Sequence, residues 1–242
     1  MRTIRLTSFN FVLFFALGVT AAVGQEPFSI EPTPKDEAKS LPAPLRQLLD
    51  EPGVRLLSPV NGQNTIVVEV WWRRAVPLEK NGPTPGDVVY GDLKVGTLLG
   101  VLRFPPEASD RFREDFRDQK LKPGFYTMRY AQMPSDHAHK NANRYRDTLI
   151  LSRVSVDTEY MKVLSVDEML AKSRLASRSR HPAVLSLVPV RTVYKDFPKA
   201  IADNSGLCIL QSKIHGQKAH GKASDLEMAV ILVTPEVEEG GS

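Results

Sequence analysis

The apolar residues of this chain recur with a period of two, and this pattern constrains the fold more than any other feature. One stretch, residues 65–73, places Ile66, Val68, Val70 and Trp72 on one side, and on the other Thr65, Val67, Glu69, Trp71 and Arg73. Successive side chains of a β-strand point to opposite faces, so such alternation predicts a half-buried strand. Six further runs of this kind lie at 97–104, 124–130, 147–153, 183–188, 207–214 and 226–233.

Turn signals separate these runs, and one capped helix interrupts them. Ser165 and Glu168 have the spacing of a capping box, which predicts that a helix begins after Ser165. Residues 44–50 have leucines on one helical face and predict one or two further turns. Because strands do not alternate regularly with helices, the expected fold is mainly β: an antiparallel β-sandwich or barrel of about 7–8 strands with one or two short helices.

The N-terminus has the three parts of a secretory signal peptide. Arg2 and Arg5 precede an apolar stretch at 9–22, and small residues follow it up to Gly24. We therefore expect residues 1–24 to be a signal peptide and the protein to be exported, either periplasmic or extracellular. The apolar stretch is shorter than the roughly 20 residues of a membrane span, so no stable span is expected after cleavage.

The remaining chain divides by composition into three parts. Residues 25–44 are rich in proline and charge, which predicts an extended linker, and residues 45–234 form a single β-rich domain. Residues 235–242 predict a disordered acidic tail. With a single cysteine, the domain cannot form an internal disulfide.

Charge and motifs argue against nucleic acids and nucleotides as partners. Loss of Arg2 and Arg5 with the signal peptide lowers the formal net charge by two from +4, which is too weak for a nucleic-acid protein. Residues 216–222 fit the spacing of a phosphate-binding loop, but Ala223 stands where magnesium binding requires Ser or Thr. No completed catalytic motif is present, which favours a non-catalytic protein.

Histidines supply the strongest candidate for a chemical site. Asp136, His137 and His139 lie close together after Pro134, and in an extended segment both imidazoles would project to one side. His215 and His220, near the predicted final hairpin loop, would add ligands if the two loops meet. Imidazole and carboxylate ligands suit zinc or copper(II), so a metal-binding protein or metal-dependent enzyme is the alternative hypothesis. No other cofactor is expected.

Two further features are candidate partner surfaces. Trp71 lies on the opposite strand face from the apolar residues, where it would anchor a partner protein or a sugar ring unless a loop or helix covers it. Arg174, Arg178 and Arg180 form a basic run after the predicted helix. Such a run either contacts an anionic partner or is a solvated helix end that complements the helix dipole.

Four stretches resemble a group of uncharacterised exported bacterial β-rich proteins. They are YGDLKVGTLLGVLRFP (90–105), LKPGFYTMRYAQMP (121–134), RDTLILS (146–152) and HPAVLSL (181–187). The resemblance covers roughly residues 90–190 and implies export and a β-rich fold, but it brings no catalytic residues. The sequence therefore predicts a non-catalytic binding or envelope-associated module, whose partner is an envelope protein or a polysaccharide.

Overall fold

The computed structural model describes residues 28–60, 63–79, 84–135, 144–202, 206–218 and 223–234. The predicted signal peptide and acidic tail lie outside these residues. The described residues form eleven strands: β1 (Ser29–Pro32), β2 (Val54–Val60), β3 (Gln63–Trp72), β4 (Val76–Leu78), β5 (Leu98–Phe104), β6 (Gly124–Gln132), β7 (Asp147–Arg153), β8 (Ala183–Val188), β9 (Lys199–Ala202), β10 (Cys208–Lys218) and β11 (Ala223–Val233). The helices are α1 (Ala43–Arg46) and α2 (Val166–Ser177), with 3₁₀ turns at Glu37–Ser40 and Asp110–Phe112.

All eleven strands belong to one sheet that is antiparallel except for a single pair. Ten of them follow the order β1-β2-β3-β5-β6-β7-β8-β11-β10-β4, and β9 pairs with β10. The parallel pair is β4 with β10. Only three residues separate β3 from β4, yet β4 lies at the far end of the sheet order. The sheet therefore curls until its two ends approach each other.

The prediction of a mainly β, antiparallel fold is confirmed, and each of the seven predicted strands lies in a strand of the structure. The predicted count of strands is too low, because β1, β2, β4 and β9 were not recognised as strands. The sheet is not closed, so neither a sandwich nor a barrel is confirmed.

The concave side of the curled sheet holds the main core. Alternate residues of the long strands meet there, among them Val68, Leu102, Met128 and Val230. On the outer side, helix α2 packs against β7 and β8 through Met169, Ile150 and Val184. The predicted capping box is present, because Ser165 Oγ accepts a hydrogen bond from the Glu168 N–H and the Glu168 carboxylate accepts one from the Ser165 N–H.

Residues 28–50 pack against the sheet, with residues 38–49 on its outer side, which corrects the prediction of a linker. Strand β1 pairs with β2, and Leu41, Leu45 and Leu49 are buried against Trp71 in a second apolar cluster. The prolines limit regular structure without preventing burial, because a leucine side chain can enter an apolar cluster from a short helix or a turn. Residues 28–44 are thus part of the domain.

Within the described ranges, no helix is both long and apolar enough to cross a membrane.

Candidate functional site

A cleft of about 490 Å³ opens where the two ends of the curled sheet approach each other. Val54, Val70 and Trp72 of β2 and β3 line one side of it, and Ser212, Lys213 and His215 of β10 line another. Residues 193–195 and 197–198, between β8 and β9, contribute a further wall that includes Tyr194 and Phe197. Concave sites with an apolar lining and a few polar groups are the usual form of a ligand-binding pocket.

The cleft adjoins a stretch of β10 that has a neighbour on one edge only. Strand β11 pairs with β10 from Cys208 to Gln217. On the opposite edge, β9 pairs with residues 208–211 and β4 pairs with residues 216–218. In the part of the chain that the structure describes, no strand pairs with residues 212–215 on that edge. We call residues 212–215 the open edge.

The residues that flank the open edge explain why it is open. The β9–β10 ladder ends at the pair Lys199↔Gln211, so the next residue of β9 facing the open edge would be Pro198. Proline has no backbone N–H and is disfavoured in the interior of a sheet. On the other side, β4 begins at Val76, which pairs with Gly216 and comes no closer. Four residues span about 13 Å at the usual rise of a strand.

Two side chains that line the cleft carry buried polar atoms without a partner among the described residues. They are the indole Nε1 of Trp72 and the Oγ of Ser212. Trp72 is 6% exposed and Ser212 is 1% exposed. Buried polar groups are nearly always hydrogen-bonded, and an unpaired one costs about 1–3 kcal/mol. Unpaired groups beside a cleft mark a place where a bound molecule can supply the missing hydrogen bonds.

The rim of the cleft carries both signs of charge. Asp225 lies beyond the rim and accepts a hydrogen bond from His215 Nδ1 at 2.9 Å, and it pairs with Lys213 Nζ at 3.1 Å. The hydrogen bonds from His215 and Lys213 lower the pKa of this exposed carboxyl. Lys195 and Glu227 form no ion pair with a described residue, although both line the cleft. A ligand with both polar and charged groups therefore has complementary side chains available.

The buried carboxylates of the domain lie elsewhere and are saturated with hydrogen bonds. They are Glu69, Asp115, Asp147 and Asp157, each 0% exposed. Burial raises the pKa of Asp115, while backbone hydrogen bonds from the Arg117, Gln119 and Val184 N–H groups oppose that rise. Carboxylates whose lone pairs are occupied in this way stabilise the fold.

The most extensive of these contacts joins Asp157 to Arg129, which is 1% exposed. The Nε and Nη2 groups of Arg129 donate to the two carboxylate oxygens at 2.7 and 3.0 Å. Thr127 Oγ1 donates to the same carboxylate at 2.7 Å. The remaining Arg129 N–H groups donate to the carbonyl oxygens of Gly96, Glu159 and Lys162. The cluster thus pins the loop after β7 to strand β6.

Of the predicted metal ligands, only His215 lies among the described residues. Asp136, His137, His139 and His220 lie outside them, so the predicted convergence of the two loops stays a prediction. His215 is 64% exposed and its Nδ1 contacts Asp225. In the described ranges, no group of three residues with metal-binding side chains is present.

The prediction that Trp71 forms a partner surface is wrong. Its side chain does stand on the outer face of β3, but it is 0% exposed. Leu41, Leu45 and Leu49 of the N-terminal segment cover it, and the Phe125 ring lies 6.0 Å from its ring centre. The indole of tryptophan has a large apolar surface. Packing of the N-terminal segment against it removes this surface from water and stabilises the fold.

The three predicted arginines lie at the C-terminal end of α2, where Arg174, Arg178 and Arg180 are all exposed. Arg174 Nε donates to the Arg180 carbonyl at 2.9 Å, and Arg178 adopts a left-handed conformation at the end of the helix. These contacts fit a helix terminus, and whether the arginines also bind a partner stays a prediction.

Trp72, Ser212 and the open edge were not predicted as a site. Their sequence signals are weak, because the pattern around Trp72 predicts an ordinary core position and Pro198 is typical of a turn. No family model matches this chain, and no match was found among the curated proteins or the solved structures.

Proposed function

We propose that this protein is an exported, non-catalytic binding module that captures an extended peptide segment of an envelope protein. The segment adds as a short strand to the open edge of β10, inside the cleft. The single observation that carries this proposal is the unpaired edge of residues 212–215 beside a cavity large enough for side chains. Export rests on the sequence of residues 1–24 and on the resemblance to exported proteins.

Strand addition fits the hydrogen-bonding groups that the cleft presents. An open strand edge offers N–H and C=O groups in a fixed, extended arrangement, and a peptide that pairs with it gains main-chain hydrogen bonds without a change in the fold. The gap between β9 and β4 accommodates about four residues of such a peptide. A longer strand would meet the chain at Pro198 or at Val76.

The walls of the cleft suggest the side chains of this peptide. Ser212 and Ile214 point to the concave side of the sheet, and Lys213 and His215 point to the outer side. Alternate residues of an added strand would therefore face Val70 and Trp72 on one side and the charged rim on the other. Apolar residues at every second position, separated by polar ones, would match both faces.

Lys213 makes a second copy of this chain a poor occupant. Pairing of two open edges would bring the two copies of Lys213 close together, and like charges on adjacent strands are destabilising. A charged residue, especially lysine, is a common device by which proteins prevent self-pairing of an exposed edge. A heterologous peptide carries no such penalty.

A defined peptide set tests the proposal. Acetylated and amidated hexapeptides would carry Thr at positions 1, 3, 5 and 6 and each natural apolar residue at positions 2 and 4. NMR hydrogen exchange of the full mature chain would report on those amides of residues 212–215 that point to the open edge, because alternate N–H groups of β10 point to β11 instead. We expect several peptides to slow exchange at these amides, because pairing protects backbone N–H groups from water.

The best peptide would then be remade with a single N-methyl group. Methylation of each central residue in turn identifies the one whose N–H points to β10, and methylation at that residue should weaken binding tenfold or more. Methylation of residue 6, outside the gap, is the matched control and should change affinity less than twofold. The proposal is wrong if no peptide protects residues 212–215, or if methylation of every central residue weakens binding no more than methylation of residue 6.

A further inference from the structure

We infer that a second cavity, separate from the cleft, binds a small apolar molecule that carries one hydrogen-bond donor. This cavity has a volume of about 390 Å³. It lies between the outer side of β9, β10 and β11 and the segment 189–198, which we call the cover segment. Its volume is within the range of about 300–1,000 Å³ that is typical of sites for small ligands.

The wall of this cavity is mostly aliphatic. Ile209 and Ile231 are register partners on β10 and β11, and both face the cavity. Ile201 of β9 and Leu207 extend the same apolar wall. These side chains are only half-buried in the protein alone. A ligand that covers them gains roughly 25 cal/mol for each Å² of apolar surface removed from water.

A polar group with an unpaired atom interrupts the aliphatic wall that the strands form. Gln211 lies on the same face of β10 as Ile209, is 3% exposed and lines the cavity. Its Oε1 has no hydrogen-bond partner among the described residues. When the Gln211 amide turns towards the cavity, a ligand that donates a hydrogen bond removes this penalty, whereas a ligand without a donor leaves it in place.

The second cavity differs from the cleft in chemistry. The rim of the cleft carries Lys213, His215 and Glu227, whereas Arg191 is the charged residue that lines the cavity within the described residues. Tyr194 of the cover segment lines both spaces. The two sites are therefore neighbours that share a wall and select different ligands.

The cover segment gives a ligand a route into the cavity. None of residues 189–198 forms a hydrogen bond with another described residue. Its one ring contact places Lys199 Nζ 5.7 Å from the Tyr194 ring centre. Segments that lack backbone hydrogen bonds open at low free-energy cost, so this wall can move aside without disruption of the sheet.

Two matched probes test the inference on the full mature chain. 2-Naphthol has an aromatic body with one hydroxyl donor, and 2-methoxynaphthalene has nearly the same shape without the donor. In a fluorescence titration, we expect 2-naphthol to bind the natural protein about five- to tenfold more tightly, the size of one buried hydrogen bond. Gln211→Leu should abolish this preference and leave the affinity for the methyl ether unchanged within twofold.

Two further variants locate the binding. Ile231→Trp fills the cavity and should remove saturable binding of both probes. Lys213→Ala, on the same face of β10 but at the rim of the cleft, is the matched control and should leave both affinities unchanged. The inference is overturned if neither probe binds saturably, if both bind the natural protein equally, or if Ile231→Trp binds them normally. The inference does not depend on peptide binding, because Gln211→Leu should leave the peptide titration unchanged.

Discussion

The unpaired hydroxyl of Ser212 predicts a substitution that stabilises the fold. In Ser212→Ala, a buried Oγ without a partner is removed, which relieves a penalty of about 1–3 kcal/mol. Loss of one oxygen atom leaves a small void, and alanine is a slightly poorer strand residue, so these two effects cancel part of the gain. We expect the free energy of unfolding to rise by about 1 kcal/mol, which corresponds to about 2–4 °C in Tm for a domain of this size.

Ser173→Ala is the matched control, because the same atoms are removed from an equally buried serine. Ser173 is 0% exposed, its Oγ donates to the Ala183 carbonyl, and it accepts a hydrogen bond from the Ala183 N–H. Its loss removes both of these buried hydrogen bonds, which should cost more than the roughly 0.5 kcal/mol gained from the higher helix propensity of alanine. Urea unfolding of both variants, with circular dichroism as the signal, gives the two changes.

Ser212→Ala and Ser173→Ala should therefore change the free energy of unfolding in opposite directions. If Ser212→Ala destabilises the protein as much as Ser173→Ala does, the Ser212 hydroxyl has a partner in solution and the case for an unsatisfied cleft wall fails. Peptide titration of Ser212→Ala adds a second readout. We expect Ser212→Ala to be more stable than the natural protein and to bind the peptide more weakly. This combination indicates that Ser212 contributes to binding at a cost in stability.

Three further predictions concern charge and reactivity. Asp157→Asn leaves the buried guanidinium of Arg129 without its counter-charge and should lower the free energy of unfolding in urea by about 3–5 kcal/mol. The exposed control Asp225→Asn should lower it by less than about 1 kcal/mol. Equal losses would contradict the structure. Hydrogen bonds from Lys162 and Ser165 lower the pKa of Glu168 to about 2. The stabilising effect of the Glu168 carboxylate is therefore present above about pH 4.5 and is lost as the pH falls towards 2. Glu168→Ala should flatten the dependence of Tm on pH in that window, and an unchanged slope would argue against the capping box. Burial raises the pKa of the Cys208 thiol to about 12, so iodoacetamide at pH 8 should label it only after denaturation, and rapid labelling of the native protein would show that the strand is accessible.

The long strands could be predicted from the sequence because their pattern is local. Ile66, Val68 and Val70 recur with a period of two, and this spacing identifies β3, although the strand is buried on both faces from Val67 onwards and not on one face as predicted. The capping box of α2 is equally local, since Ser165 and Glu168 are three residues apart. Such features need only neighbouring residues to be recognised.

The short strands and the covers could not be predicted in this way. Strand β4 has three residues, and it forms because β10, more than 130 residues later in the chain, offers it an edge. Leu41 and Leu45 lie among prolines in the sequence. They are buried because they pack against Trp71 on the outer side of β3, a contact between residues far apart in the chain. The structure of these segments depends on tertiary packing, and local propensity does not predict it.

The open edge, the cleft and the second cavity have a common origin in the length of β10. This strand has eleven residues, but the edge opposite β11 is shared by β9 and β4, which pair with only four and three of them. The residues left between them adjoin the cleft, and the cover segment that leads into β9 lies over the outer side without hydrogen bonds to other described residues. Three of the six buried polar atoms without a partner in the described chain belong to residues that line these two spaces, namely Trp72, Gln211 and Ser212. A fold selected for stability alone would have closed this edge with a longer β9, so the concentration of unsatisfied groups at one interrupted strand favours binding as its purpose.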